Sequence, residues 1–217
     1  MLATLKGLLG HHALYVGLQK ALGADRLRYR CLDELALRDG ETVLDVGCGP
    51  AYYLGRLAKV RYFGFDTSQR YIDHARSKWG NDRVTFECAV FGPEHLAEVG
   101  PVDAVMLLGL LHHLSDEESR VLLRLAAQAL APGGRVIAVD TCFEPNQGRI
   151  SRWMSRNDRG EYVREPAGFT ALARECFADV DGEVLSTTTR IPSCFWMMRM
   201  ASPTRVATTP AAPTATG

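Results

Sequence analysis

The segment Thr42-Val43-Leu44-Asp45-Val46-Gly47-Cys48-Gly49-Pro50 constrains the fold more than any other in the chain. β-Branched and aliphatic residues at 42–46 read as a short buried strand. Glycines at 47 and 49 then read as a tight turn, where the backbone must come close to something. Pro50 has its φ preset for the first turn of a helix, and Leu54, Leu57 and Ala58 lie on one face of the helical segment expected after it. Strand, glycine turn and helix make a βα unit. Its helix N-terminus would point amide N–H groups and a positive dipole end at a ligand.

The segments that follow extend the pattern. Arg61–Asp66 reads as a second strand, with Asp66 at its end, 21 residues after Asp45. A carboxylate at that spacing suits two ribose hydroxyls, because one carboxylate accepts two hydrogen bonds. Thr67 and Ser68 supply an N-cap for a helix over Gln69–Trp79. Arg83–Cys88 reads as strand three. Val102–Leu108 reads as strand four, apolar almost throughout as a strand buried on both faces should be. Ser115-Asp116-Glu117-Glu118 opens an amphipathic helix running to about Ala131, with Leu122, Leu125, Ala126 and Leu130 inward. Pro132-Gly133-Gly134 ends it, and Arg135–Asp140 is strand five.

A dinucleotide turn wants a third glycine where this chain has Tyr52. The pattern present is Asp45-x-Gly47-x-Gly49-x-Ala51, which resembles the first motif of class I S-adenosylmethionine-dependent methyltransferases, with alanine for the last glycine. Gly109-Leu110-Leu111-His112-His113-Leu114 after strand four and Leu130-Ala131-Pro132-Gly133-Gly134 before strand five resemble later motifs of the same superfamily, in order and at its spacing. The resemblance covers roughly residues 40–200. It implies an α/β, Rossmann-like class I methyltransferase fold: a seven-stranded, mostly parallel sheet of order 3-2-1-4-5-7-6, with helices on both faces. It implies S-adenosyl-L-methionine as cofactor, held by Asp45, Gly47, Cys48, Gly49, Asp66, Thr67, Ala89, Val90 and Leu108, with Asp45 beside the methionine moiety. Ala89 stands where the superfamily often has an adenine-binding Asp, leaving backbone groups of 89 and 90, or Glu87 or Glu94, for that edge.

The resemblance also implies that residues 1–38, helical by their leucine spacing, form an N-terminal lid. Tyr15 is then the best placed of His11, His12 and Tyr15 to meet the pocket. A domain over 39–200 and a disordered, Ala/Pro/Thr-rich tail over 201–217 complete the organisation. His112 and His113 stand just past a strand's carboxyl end, where open α/β sheets bind ligands. Either is a candidate to touch cofactor or substrate, or to take a proton from a hydroxyl; either could instead hold the loop by a backbone bond. The stretch 141–176 carries Arg159, Tyr162 and Arg164, candidates to grip an anionic or sugar-bearing substrate or a solvated surface. Pro166–Phe177 reads as a helix, and Val180–Thr187 with Arg190–Met200 as a closing antiparallel hairpin.

Lys+Arg and Asp+Glu are both 25 in 217 residues, so no large electrostatic footprint for nucleic acid is expected. The six cysteines form no C-x-x-C pair, which argues for a reduced, cytoplasmic protein with neither a disulfide framework nor a metal site. No run of about 18 apolar residues occurs, so no membrane span is expected. The function implied is methyl transfer from S-adenosylmethionine to a small-molecule acceptor, with oxygen preferred because of the histidines. A non-catalytic cofactor-binding module, allowed by Ala51 and Ala89, and a nicotinamide-dependent oxidoreductase are the alternatives. Oligomeric state is not legible.

Overall fold

The computed structural model describes residues 24–158, 160–186 and 192–204. Tyr15, His11 and His12 lie outside these residues, as does Arg159. The described chain forms one seven-stranded sheet: β1 (Thr42–Val46), β2 (Arg61–Asp66), β3 (Val84–Cys88), β4 (Val102–Leu108), β5 (Leu130–Thr141), β6 (Phe177–Leu185) and β7 (Phe195–Pro203). Their order is β3-β2-β1-β4-β5-β7-β6. The first five strands run parallel, while β7 is antiparallel to both β5 and β6. The expected topology and strand order are therefore present.

The helices are α1 (Ala24–Leu35), α2 (Gln69–Trp79), α3 (Leu96–Val99), α4 (Asp116–Ala129), α5 (Arg149–Arg156) and α6 (Pro166–Arg174). Alternation along the strands gives the sheet two apolar faces. Leu44, Phe63, Val105, Leu107, Val136 and Met198 face one core with Leu123 and Ala126 of α4 and Phe169 and Leu172 of α6. Val43, Tyr62, Ala104, Met106, Ile137 and Met197 face the other with Leu27 and Cys31 of α1 and Ile72 of α2. Burying both faces is what makes β4 read as a continuous apolar run. None of the described helices is long and apolar enough to cross a membrane, and all six cysteines are free thiols.

Several boundaries differ from the sequence reading. The helix expected after the glycine turn is a single 3-10 turn, Leu54–Arg56. Ala51 adopts φ +48, which is not helical, and the bonds that follow (Leu54 N–H to Ala51 O, Arg56 N–H to Tyr53 O) are of i to i+3 type. The last two strands are displaced by three to five residues from their expected starts, and α6 ends at Arg174. β5 begins at Leu130, and the Pro-Gly-Gly turn is an irregularity in its register with β4, between the pairs Val102–Leu130 and Ala104–Arg135. Ala201–Pro203, placed in the tail by composition, belong to β7; residues 205–217 lie outside the described chain.

Of the expected lid only α1 is described. It lies against the sheet face, with Leu27, Cys31 and Leu35 buried, and is held there by Arg135. That guanidinium donates to the carbonyls of Leu35 and Ala36 and to both oxygens of Glu41. The start of α4 is fixed by a capping box: Glu118 N–H donates to Ser115 Oγ, and Ser115 N–H donates to the Glu118 carboxylate at 2.8 Å. Ser115→Ala should destabilise the protein by about 1 kcal/mol in urea unfolding; an unchanged midpoint would show that tertiary packing alone fixes the helix start.

Candidate cofactor and acceptor site

The carboxyl ends of β1, β2, β4 and β5 lie side by side, and each of β1, β2 and β5 places an aspartate near its end. Asp45 is fully buried. Its Oδ2 accepts from the hydroxyl of Tyr53 at 2.6 Å and of Tyr62 at 2.5 Å. Its Oδ1 is buried with no partner among the described residues. Gly64, the register partner of Asp45, leaves room for this: a Cβ there would come within 2.8 Å of the Tyr62 ring. The 3-10 turn brings Tyr53 inward. Burial pushes the Asp45 carboxyl up to about 6, against the two phenols, which pull it down.

The glycine turn closes on itself. Gly47 and Cys48 N–H both donate to Phe65 O, at 2.8 and 3.0 Å, and Gly49 N–H donates to Asp66 Oδ2 at 2.8 Å. Pro50 has no N–H. Gly47 and Gly49 hold φ +75 and +53, the left-handed region that glycine adopts without penalty. The expected helix dipole and spare amides are therefore not here; the amides are spent on strand β2. Asp66 is part-exposed, and its other oxygen accepts from Ser68 N–H at 2.8 Å. Ser68 caps α2 by position only, without a side-chain bond. A carboxylate has about four lone-pair directions, so Asp66 keeps capacity for two hydroxyls.

The remaining predicted cofactor residues line this edge unequally. Cys48 and Leu108 are buried, Ala89 is half-buried, and Thr67 and Val90 are exposed. Glu87 is paired with His95 at 3.3 Å.

The histidine pair has been divided by its surroundings. His112 is buried, with Nδ1 2.7 Å from Asp140 Oδ1 and Nε2 3.1 Å from Asp158 Oδ1. Its backbone N–H also donates to Asp140. Burial disfavours its charge, but the two carboxylates win and raise it to about 9. With both imidazole nitrogens engaged by carboxylates, His112 has no vacant lone pair in this arrangement and acts as a clasp on the loop. His113 is exposed, its ring centroid 4.1 Å from that of His112. Gly160 and Tyr162 lie against His112: Tyr162 N–H donates to His112 O at 3.0 Å. A Cβ on Gly160 would come within 2.4 Å of that same oxygen, so only glycine permits the approach.

Arg164, read as a substrate grip, is committed elsewhere. It donates to Asp116 Oδ1 through Nε and Nη2, and to the carbonyls of Leu111, Leu114 and Tyr162. All five donors of the guanidinium are used, and it ties the post-β4 loop to the segment before α6. Tyr162 is exposed. Sequence reasoning missed Tyr53, Tyr62, Asp140 and Asp158 as site residues. The available signal was an acid at a parallel strand's carboxyl end, repeated at Asp45, Asp66 and Asp140.

An acid at the end of β2, a glycine turn bonded to it and a second acid near the end of β1 are arranged as in a Rossmann-like domain. Residues 43–134 match the methyltransferase-domain family. In this segment and in its fold the chain is similar to the class I S-adenosylmethionine-dependent methyltransferases. It is similar to phosphoethanolamine N-methyltransferase 1 of Triticum aestivum, 33% identical over 146 residues, covering 63% of this chain and 28% of that protein. It is also similar to 27-O-demethylrifamycin SV methyltransferase of Amycolatopsis mediterranei (strain S699), 33% identical over 128 residues, covering 56% and 46%. These matches thus span less than half the length of either relative. The crystal structure of N-methyltransferase NodS from Bradyrhizobium japonicum WM9 shares the fold, with a TM-score of 0.63 at 16% identity, covering 83% of this chain and 97% of that one.

The residues present fit the family's cofactor, S-adenosyl-L-methionine. The buried, unpartnered Oδ1 of Asp45 calls for a donor, and an ammonium supplies one. Nothing lies within 4 Å of where a Gly49 Cβ would stand, which leaves an open approach to the turn.

Asp45 makes stability depend on pH in a defined direction. Its folded value, about 6, lies above the ordinary 3.8, so the folded state binds this proton more tightly. The stabilisation is complete below the unfolded value and is lost as pH rises through about 6. The stability of the wild type relative to Asp45→Asn, measured by urea unfolding without cofactor, should therefore rise by about 1 kcal/mol from pH 7 to pH 5. A difference independent of pH would mean that Asp45 is already fully charged without penalty.

Proposed function

We propose that this protein transfers the methyl group of S-adenosylmethionine to an oxygen of a small-molecule acceptor. The observation that carries the cofactor half is the spent glycine turn. A dinucleotide pyrophosphate is bound by spare amides at a helix N-terminus. Here the amides of 47–49 are bonded internally, no α-helix follows, and two carboxylates stand where the ligand goes. Such a site favours a cofactor with cationic groups and a ribose over one with a pyrophosphate.

In the proposed reaction Asp45 meets the methionine ammonium and Asp66 accepts both ribose hydroxyls. The sulfonium is an activated donor, so placing the nucleophile in line supplies much of the rate. A hydroxyl acceptor must lose its proton, and exposed His113, beside the His112–Asp140–Asp158 clasp at the β4 edge, is the imidazole that would take it. A neutral amine needs no such group, which is the reason for preferring oxygen. The proteins named above include two N-directed enzymes and one O-directed enzyme. The balanced net charge favours a small acceptor over nucleic acid.

Asp66→Ala should weaken S-adenosylhomocysteine binding by about 1–3 kcal/mol in calorimetry while the far-ultraviolet spectrum stays native; unchanged affinity would remove the ribose role. With labelled S-adenosylmethionine, label should pass to hydroxylated small molecules. Transfer to amines alone would overturn the oxygen assignment. Tight cofactor binding with no transfer to any acceptor would favour a non-catalytic binding module.

A further inference from the structure

We propose that His112 Nε2, His113 and Asp158 form a binding site for one divalent transition-metal ion of the zinc class, with Asp140 orienting His112 from behind. The potential ligand atoms of the three residues all lie within 4.8 Å of one another. His112 Nε2 and Asp158 Oδ1 are 3.1 Å apart. Two donors each about 2.1 Å from one ion, at about 90–110°, lie about 3.0–3.4 Å apart, so this pair is already at bridging distance. His113 is exposed, with its ring centroid 4.1 Å from that of His112, and supplies the third corner within the same 4.8 Å.

The arrangement behind His112 is the second observation. Metal-ligating histidines donate their other ring N–H to a carboxylate or carbonyl, which fixes the tautomer. His112 Nδ1 does this to buried Asp140 at 2.7 Å, leaving Nε2 as the outward ligand. The clasp described above is the same contact without an ion. On binding, the ion takes the place of the Nε2 proton, which leaves to solvent. Two imidazoles and one carboxylate suit zinc, iron(II) or cobalt(II) better than magnesium or calcium, which prefer all-oxygen sets. This departs from the expectation of no metal, which rested on the scattered cysteines; these ligands are not cysteines, and 45 residues separate His113 from Asp158.

Three protein ligands leave at least one coordination position open, as in catalytic zinc sites. The site stands at the carboxyl end of β4. A hydroxyl acceptor coordinated there would ionise more readily; this role rests on the methyl-transfer reading, whereas the metal site does not.

The test is titration of tag-free, chelator-treated protein with Co²⁺, followed by visible absorption and by metal analysis after gel filtration. The expected result is one Co²⁺ per chain with d–d bands and no thiolate charge-transfer band. His113→Ala and Asp158→Asn, both at exposed positions, should each weaken binding at least about tenfold, and Asp140→Asn about 10–100-fold. Metal-free melting temperatures check that each variant is folded. No stoichiometric binding, a thiolate band, or affinity unmoved in folded His113→Ala and Asp158→Asn would each overturn the site. S-adenosylhomocysteine binding in the same samples separates the two readings. Nucleoside binding without metal sinks only the metal site, and metal binding without nucleoside binding sinks only the methyl-transfer reading.

Discussion

A carboxylate with no solvent exposure, Asp45, sits near the end of β1, and the rest of the site is arranged around keeping it there. Burying Asp45 is unfavourable unless its oxygens are bonded. Two phenols from different elements, Tyr53 and Tyr62, satisfy one oxygen. Bringing Tyr53 into reach requires the chain after the glycine turn to bend inward, which accounts for a short 3-10 turn in place of a helix. Bringing Tyr62 into reach requires the empty side-chain position at Gly64. What remains is one oxygen without a partner among the described residues, in a place where a cation is favoured.

The same economy of bonds decides what kind of ligand fits. Each amide of the glycine turn closes onto β2 or Asp66, so the turn is rigid and offers no anion cradle. On the β5 side of this edge, Asp140 and Asp158 hold His112 between them, and Arg164 binds the adjoining loop with four of its five donors. The post-β4 loop and the segment after α5 are thereby fastened to the sheet edge. Beside these clasps, His113 and Tyr162 are exposed.

The strands were legible because burial on two faces writes apolar runs, and Val102–Leu108 and Gln69–Trp79 occupy the expected residues. The capped start of α4 was legible because its signal is local: Ser115 and Glu118 are three residues apart. The helix after Pro50 was misread because Leu54 and Leu57 carry a helical spacing, while Tyr53's bond to Asp45 is a tertiary demand invisible in a local pattern. Arg164 was misread for the same reason. A dense Arg/Tyr segment reads as a grip for a ligand, but its partners Leu111, Leu114 and Asp116 lie about 50 residues back along the chain. The first and second acids, Asp45 and Asp66, were legible by motif and spacing; Asp158, in an irregular segment, carries no periodic signal at all.

Parallel calorimetric titrations of the purified protein with S-adenosylhomocysteine and with NADH test most directly whether this turn and its two acids select a cationic nucleoside cofactor over a pyrophosphate-bearing one. The account predicts micromolar binding of the first and none of the second. Binding of NADH, or of neither, would contradict it.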